Sequence, residues 1–294
     1  MINLWLKRGP NDNDLLSPDI APLLTQICDV QVDRFRHGRV LLASHLIALF
    51  RVDRPWTERC LLPLFAWGSS AEARALWEGF LWSPRLYQPL LIAFKPQLLE
   101  TANHYVELGE HRQQFAAFLT YAALGPTQGY SVEEFRSAIG ALPPEGLERS
   151  AQALTQALEG AAGQREDYWR NRLLPFWQQI WPKSRELASP RIAESLTRLV
   201  IAARDEFPSA LDAVQHWLQP VAYPHYVMGL LHKSGLCRQH PACALRLLNI
   251  IVSDQQWLSQ ELGQCLNEII LTAPNLALDT QYLRLQEASR RWGG

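Results

Sequence analysis

Along most of the chain, apolar residues return every three or four positions, the period of a helix with one buried face. The alternation of a half-buried strand is almost absent. In "SSAEARALWEGFL", Ala73, Leu76, Trp77, Phe80 and Leu81 fall at i, i+3, i+4, i+7 and i+8, a single apolar stripe. Ser69 and Glu72 before it have capping-box spacing, and Ser83-Pro84 ends it, because the residue before a proline is pushed out of the helical region. A second stripe runs through "GRVLLASHLIALF", with Leu42, His45, Leu46, Leu49 and Phe50 on one face.

Start signals recur. Ser17-Pro18-Asp19 reads as an N-cap followed by a proline and an acid, and Asp53 as the cap of "RPWTERCLLPLFAW". Ser131 with Glu134 forms another capping box, and Ser189 caps a helix with Pro190 at its first position. Helices are also expected through "QPLLIAFKPQLLETANHYVEL", "HRQQFAAFLTYAAL", "LERSAQALTQALEG" and "EDYWRNRLLPFWQQIW", the last kinking at Pro175. Pro208, Pro241 and Pro274 lie 33 residues apart (241 − 208 and 274 − 241), each opening a helix. These patterns predict an all-α chain, an irregular α-α superhelix of about a dozen helices built from pairs like those of HEAT or TPR repeats. The expected organisation is a polar linker or interior start over 1–16, a helical subdomain over 17–142 and a C-terminal helical-repeat subdomain over 164–294. Between them, "LPPEG" and "GAAG" loosen the chain over 143–163.

Composition narrows the class. With 48% hydrophobic and 19% charged residues in 294, the chain is globular and long enough for a substantial core. A net charge of −1, spread evenly, argues against a protein whose main task is gripping phosphate backbones. The local exception is Arg165, Arg170, Arg172, Lys183, Arg185 and Arg191, set against Glu166, Asp167 and Glu186, which reads as a solvated helix face. Five scattered cysteines, no signal-peptide pattern and no long apolar run give the expectation of a soluble, cytoplasmic protein.

Candidate chemistry is sparse. There is no Gly-rich dinucleotide turn, phosphate-binding loop, His-Glu-x-x-His or Gly-x-Ser-x-Gly, so no residue is assigned a catalytic role and no cofactor is expected. His232, Cys237, His240 and Cys243 are a weak zinc candidate, because they straddle a turn without a Cys-x-x-Cys knuckle. Most of the eleven tryptophans must be core. Two aromatic knots remain as partner-binding candidates: Trp82, Arg85 and Tyr87 at a helix end, where the Arg can stack on a ring, and Tyr223, His225 and Tyr226.

The run Trp67, Ala73, Leu76-Trp77-Glu78-Gly79-Phe80-Leu81-Trp82-Ser83-Pro84-Arg85, followed by Lys95-Pro96, resembles a bacterial domain of unknown function. That domain occurs in the C-terminal region of sirtuin-like antiphage defence proteins. Ala141-Leu142-Pro143-Pro144-Glu145-Gly146, Trp181-Pro182-Lys183, Tyr223-Pro224-His225-Tyr226 and Ser234-Gly235-Leu236 before Pro241 extend the resemblance from about Val32 over nearly the whole chain. It implies a helical region that senses, scaffolds or restrains an N-terminal sirtuin-like domain, which consumes NAD once infection is sensed. This chain departs from that pattern in having no recognisable sirtuin domain, so the NAD-consuming activity transfers to no residue here. Its start reads like an interior segment, as expected of a truncated product, a separately encoded subunit or an isolated C-terminal region. The leading expectation is a non-enzymatic scaffold or sensor that binds a protein partner, either an effector domain or a phage protein. The alternative is a helical repeat that binds nucleic acid.

Overall fold

The computed structural model describes residue 5 and residues 9–125, 128–253 and 260–292; among them every regular element is a helix and none is a strand. No helix among the described residues is long and apolar enough to cross a membrane. The chain divides into two compact units, Met1–Gly146 and Leu147–Gly294. The expected loose boundary over 143–163 is instead largely taken up by one 17-residue helix, Pro144–Gly160, since Pro144 is tolerated in a first turn and only Gly146 and Gly160 weaken the segment.

In the first unit, the helices Arg36–Ser44 and Ser70–Leu81 approach closely, backbone to backbone at Gly79 and Val40. Gly79 makes this possible: a Cβ there would lie 2.3 Å from the Val40 carbonyl oxygen. Arg39 is fully buried beneath the contact. Its Nη1 donates to the carbonyls of Ile27, Asp29 and Val32 at 3.3, 2.9 and 3.3 Å, just past the end of the helix Ala21–Ile27. Its Nε and Nη2 donate to the two carboxylate oxygens of Glu72 at 2.8 and 3.0 Å. The expected Ser69–Glu72 capping box is therefore absent: no side chain caps this helix, and Glu72 faces Arg39 instead. A buried guanidinium needs a carboxylate far more than an exposed backbone N–H needs a cap.

The apolar stripe behaves as the periodicity predicts. Ala73, Leu76, Trp77, Phe80 and Leu81 are all buried. Trp77 meets Phe65 edge-on at 5.3 Å, stacks on Phe94 at 4.9 Å and donates its indole N–H to the Phe65 carbonyl at 3.2 Å. Trp67 is buried too; it stacks on His104 at 4.4 Å and donates to Thr101 Oγ1 at 2.8 Å.

Several boundaries differ from expectation. Ser17-Pro18-Asp19 is a turn rather than the expected start, and the helix begins at Ala21 with Pro22 in its first turn. The helix expected through "GRVLLASHLIALF" breaks at His45 (φ −108°, ψ 17°) into Arg36–Ser44 and Leu46–Val52. Within the expected linker, residues 13–16 are tied down. Asn13 and Leu15 donate backbone N–H groups to Arg51 and Val52, and Leu16 N–H donates to Asp53 Oδ2 at 3.0 Å. Asp53 also caps the next helix through Trp56 N–H at 2.9 Å, as predicted.

Each unit handles a mid-helix proline in the same way. Thr57–Leu61 and Trp169–Leu173 are π-helical turns, closed by Leu62 N–H to Thr57 O and Leu174 N–H to Trp169 O. Both precede Leu-Pro, at Pro63 and Pro175. The wider turn moves aside the carbonyl that a proline ring would strike and leaves it without a donor to miss. The kink expected at Pro175 takes this form.

The second unit carries the helices Pro190–Ala202, Phe207–Val214, Pro224–Ser234, Pro241–Ile251, Gln260–Thr272 and Thr280–Trp292. Ser189 caps the first, accepting from Ile192 N–H. Pro208 and Pro241 stand in helical first turns, and Pro274 opens a short 3₁₀ segment. Trp177, Trp181 and Trp217 form one cluster, the first two stacked at 4.9 Å. Polar ties between helices include Thr155 to Ser195 (40 residues), Trp177 to Ala213 (36), Arg246 to Asp212 (34), Cys265 to Met228 (37) and Arg284 to Asn249 (35).

Candidate functional site

In the first unit, Trp82 follows the last residue of the helix Ser70–Leu81 and is 79% exposed, whereas the Trp77 ring five residues earlier is buried. It keeps helical torsions and donates its backbone N–H to Glu78 O, and its ring meets His111 edge-on at 6.2 Å. Ser83-Pro84 then turns the chain, leaving Arg85 and Leu86 exposed. Tyr87 departs from this surface: it is half-buried and packs edge-on against Phe50 at 6.3 Å. The cation in that neighbourhood lying over a ring is Arg54, 5.3 Å from Phe50, rather than Arg85.

In the second unit, Tyr223, His225 and Tyr226 are exposed at the start of the helix Pro224–Ser234, while Pro224 and Val227 are buried beneath them. Tyr223 and His225 meet edge-on at 6.1 Å. Tyr226 covers Arg198, whose guanidinium carbon lies 5.9 Å from the ring centroid.

The four weak zinc candidates do not converge. His232 faces Glu268, Nε2 to Oε1 at 3.4 Å, and His240 stacks on Phe207 at 6.0 Å. Cys237 is buried in a thiol pair with Cys265; the hydrogen bond they share, and then burial, push its thiol up from the ordinary range. Cys243 lies apart, beside Arg246. Among the described residues no three His, Cys, Asp or Glu side chains are placed to hold a metal ion. Helix geometry explains this: Gly235, in the left-handed conformation at φ 77°, ends one helix and turns the next away.

The same unit contains a cleft of about 780 Å³ that sequence reasoning missed. Its cations are Arg165, Arg198, Arg204 and Lys233, and its carboxylates Glu159, Glu166 and Asp205; Ile201, Leu230 and Leu236 supply apolar wall. Arg198 Nη2 donates to both oxygens of Glu159 at 2.9 and 3.0 Å, and Arg165 Nη2 to the Glu159 carbonyl at 2.9 Å.

Family models, curated proteins and solved structures were compared with the chain, and none matches. The site must be read from its own residues.

The basic stretch expected as a solvated face is largely engaged in local pairs. Arg170 bridges Glu206 and Asp167 at 2.7 and 3.1 Å, Arg191 lies 3.5 Å from Glu148, and Lys183 donates to the Trp177 carbonyl. Of the missed residues, Arg39 carried a signal, since it stands on the same face as Leu42, Ala43 and Leu46. The cleft carried none: its residues come from segments up to 80 positions apart, Glu159 to Gln239.

Proposed function

We propose that the chain is a non-enzymatic α-helical repeat scaffold that binds a protein partner, acting in bacterial antiphage defence beside a sirtuin-like, NAD-consuming effector. The observation that carries the partner-binding part is Trp82, a large ring 79% exposed beside exposed Arg85 and Leu86, on a helix whose other aromatic rings are buried. Tryptophan and arginine dominate binding energy at protein interfaces, and a ring held at a helix end is already ordered before the partner arrives. The repeat part is supported by polar ties between helices that span 30 to 43 residues in the second unit, as expected when each helix pair packs on the next. The defence setting rests on the motif resemblance around Trp67 to Pro96.

Co-purification with a sirtuin-like NAD-consuming domain tests the reading. A stable complex is expected, weakened about tenfold or more by Trp82→Ala. No complex, or one indifferent to that substitution, overturns the assignment of the surface. Incubating the chain alone with NAD separates the enzymatic question: sustained hydrolysis would end the scaffold reading.

A further inference from the structure

The cleft in the second unit has features that the scaffold reading does not use. Arg204 adopts a left-handed backbone at φ 54°, a conformation that favours glycine, yet an arginine stands there. Its guanidinium has no ion-pair or hydrogen-bond partner among the described residues, and neither has the ammonium of Lys233 across the same cleft. Two further donors at the wall are unmet: the Nε–H groups of Arg165 and Arg198 are sealed from solvent without an acceptor. Sealed as they are, those two Nε–H groups are beyond a ligand's reach; what the concavity offers one is the exposed, uncommitted cations of Arg204 and Lys233.

The opposing charges shape the ligand. Glu159 is already occupied by Arg198. Glu166 and Asp205 remain able to accept hydrogen bonds, so a bare anion would meet partial repulsion, whereas one bearing hydroxyl donors satisfies both signs. A volume of about 780 Å³ suits a small organic molecule better than an inorganic ion. Tyr226, over Arg198, borders the site.

We propose that this cleft binds a small organic phosphate carrying hydroxyl groups, with Arg198, Arg204 and Lys233 holding the phosphate and Glu166 and Asp205 the hydroxyls. The site is separate from the Trp82 surface, and its test does not depend on a protein partner.

Titration calorimetry on the full chain at low ionic strength, with ribose 5-phosphate, inorganic diphosphate and uncharged ribose as probes, provides the test. Ribose 5-phosphate is expected to bind with a dissociation constant of about 1 mM or tighter, diphosphate more weakly, and ribose not measurably. Arg204→Gly suits the left-handed backbone, so its melting temperature should equal or exceed that of the parent while affinity falls about tenfold. Lys233→Ala should weaken binding similarly, and Arg191→Ala, outside the cleft, should leave it unchanged. The proposal is overturned if neither phosphate binds, if ribose binds as well as its phosphate, if Arg204→Gly binds like the parent, or if Arg191→Ala loses as much as Arg204→Gly.

Discussion

Arg39 is the residue on which the first unit most depends. Its guanidinium is fully buried, satisfies three carbonyls beyond the helix Ala21–Ile27 and forms a two-pronged pair with Glu72. Arg39→Met keeps most of the volume but strands those carbonyls and takes the two-pronged partner from a largely buried carboxylate, leaving it Arg36 Nε at 3.7 Å; it should cost about 2–4 kcal/mol by urea denaturation. Adding Glu72→Leu removes the stranded charge, so the double variant should be more stable than the sum of the single losses predicts. Strict additivity would show that the pair is not coupled as its geometry indicates. Gly79→Ala, which would set a Cβ 2.3 Å from the Val40 carbonyl, should cost about 1–3 kcal/mol through a forced backbone shift. These residues also mark how far the sequence can be read. The Ser131–Glu134 capping box was legible because both partners are local, and it forms as expected. The Ser69–Glu72 box has the same spacing, but Arg39, 33 positions from Glu72, takes the carboxylate. A local rule fails where a tertiary contact competes for the same atoms.

Elements were legible wherever periodicity and proline agreed, and less so where a break carried no proline. His45 is such a case, since the stripe runs through it while the backbone does not. Burial there holds the imidazole below its ordinary value of 6.5. The sign follows directly. Folding favours the neutral ring, so its stabilisation is fully present above 6.5 and is lost as pH falls through the lower folded value. The melting temperature should therefore decline on acidification just below neutrality, and His45→Gln should flatten that part of the profile. An unchanged slope in the variant would assign the acid sensitivity to other groups. The two π-turns ahead of Pro63 and Pro175 were half legible: a disturbance was expected at Pro175, but its form depends on how the backbone redistributes its hydrogen bonds.

At the scale of the molecule, the all-helical class followed from the pattern of the chain, while the cleft and the buried ion pair depend on contacts that pattern does not encode. The repeat reading makes one demand that neither sequence nor static packing meets alone. If each helix pair of the second unit leans mainly on its neighbours, stability should vary along the chain, because interior helices are covered on both sides and terminal ones on one. The segment Pro274–Leu278 and the helix Thr280–Trp292 are the last described elements of that unit. Leu271 and Leu278 are 81% and 85% exposed there, so these elements bury less apolar surface than Pro190–Ala202 does. Arg284 ties Thr280–Trp292 to Asn249 and Val252. Hydrogen exchange of the full chain should therefore find the amides of Thr280–Trp292 opening by local unfolding, well before those of Pro190–Ala202, whose Ile192, Leu196 and Val200 are fully buried. Mild denaturant should leave the terminal opening nearly unchanged and accelerate the interior one, because the larger opening exposes more surface. If both helices exchange with one free energy and one denaturant dependence, the unit unfolds as a single cooperative core, and the stacked-repeat reading has to be given up.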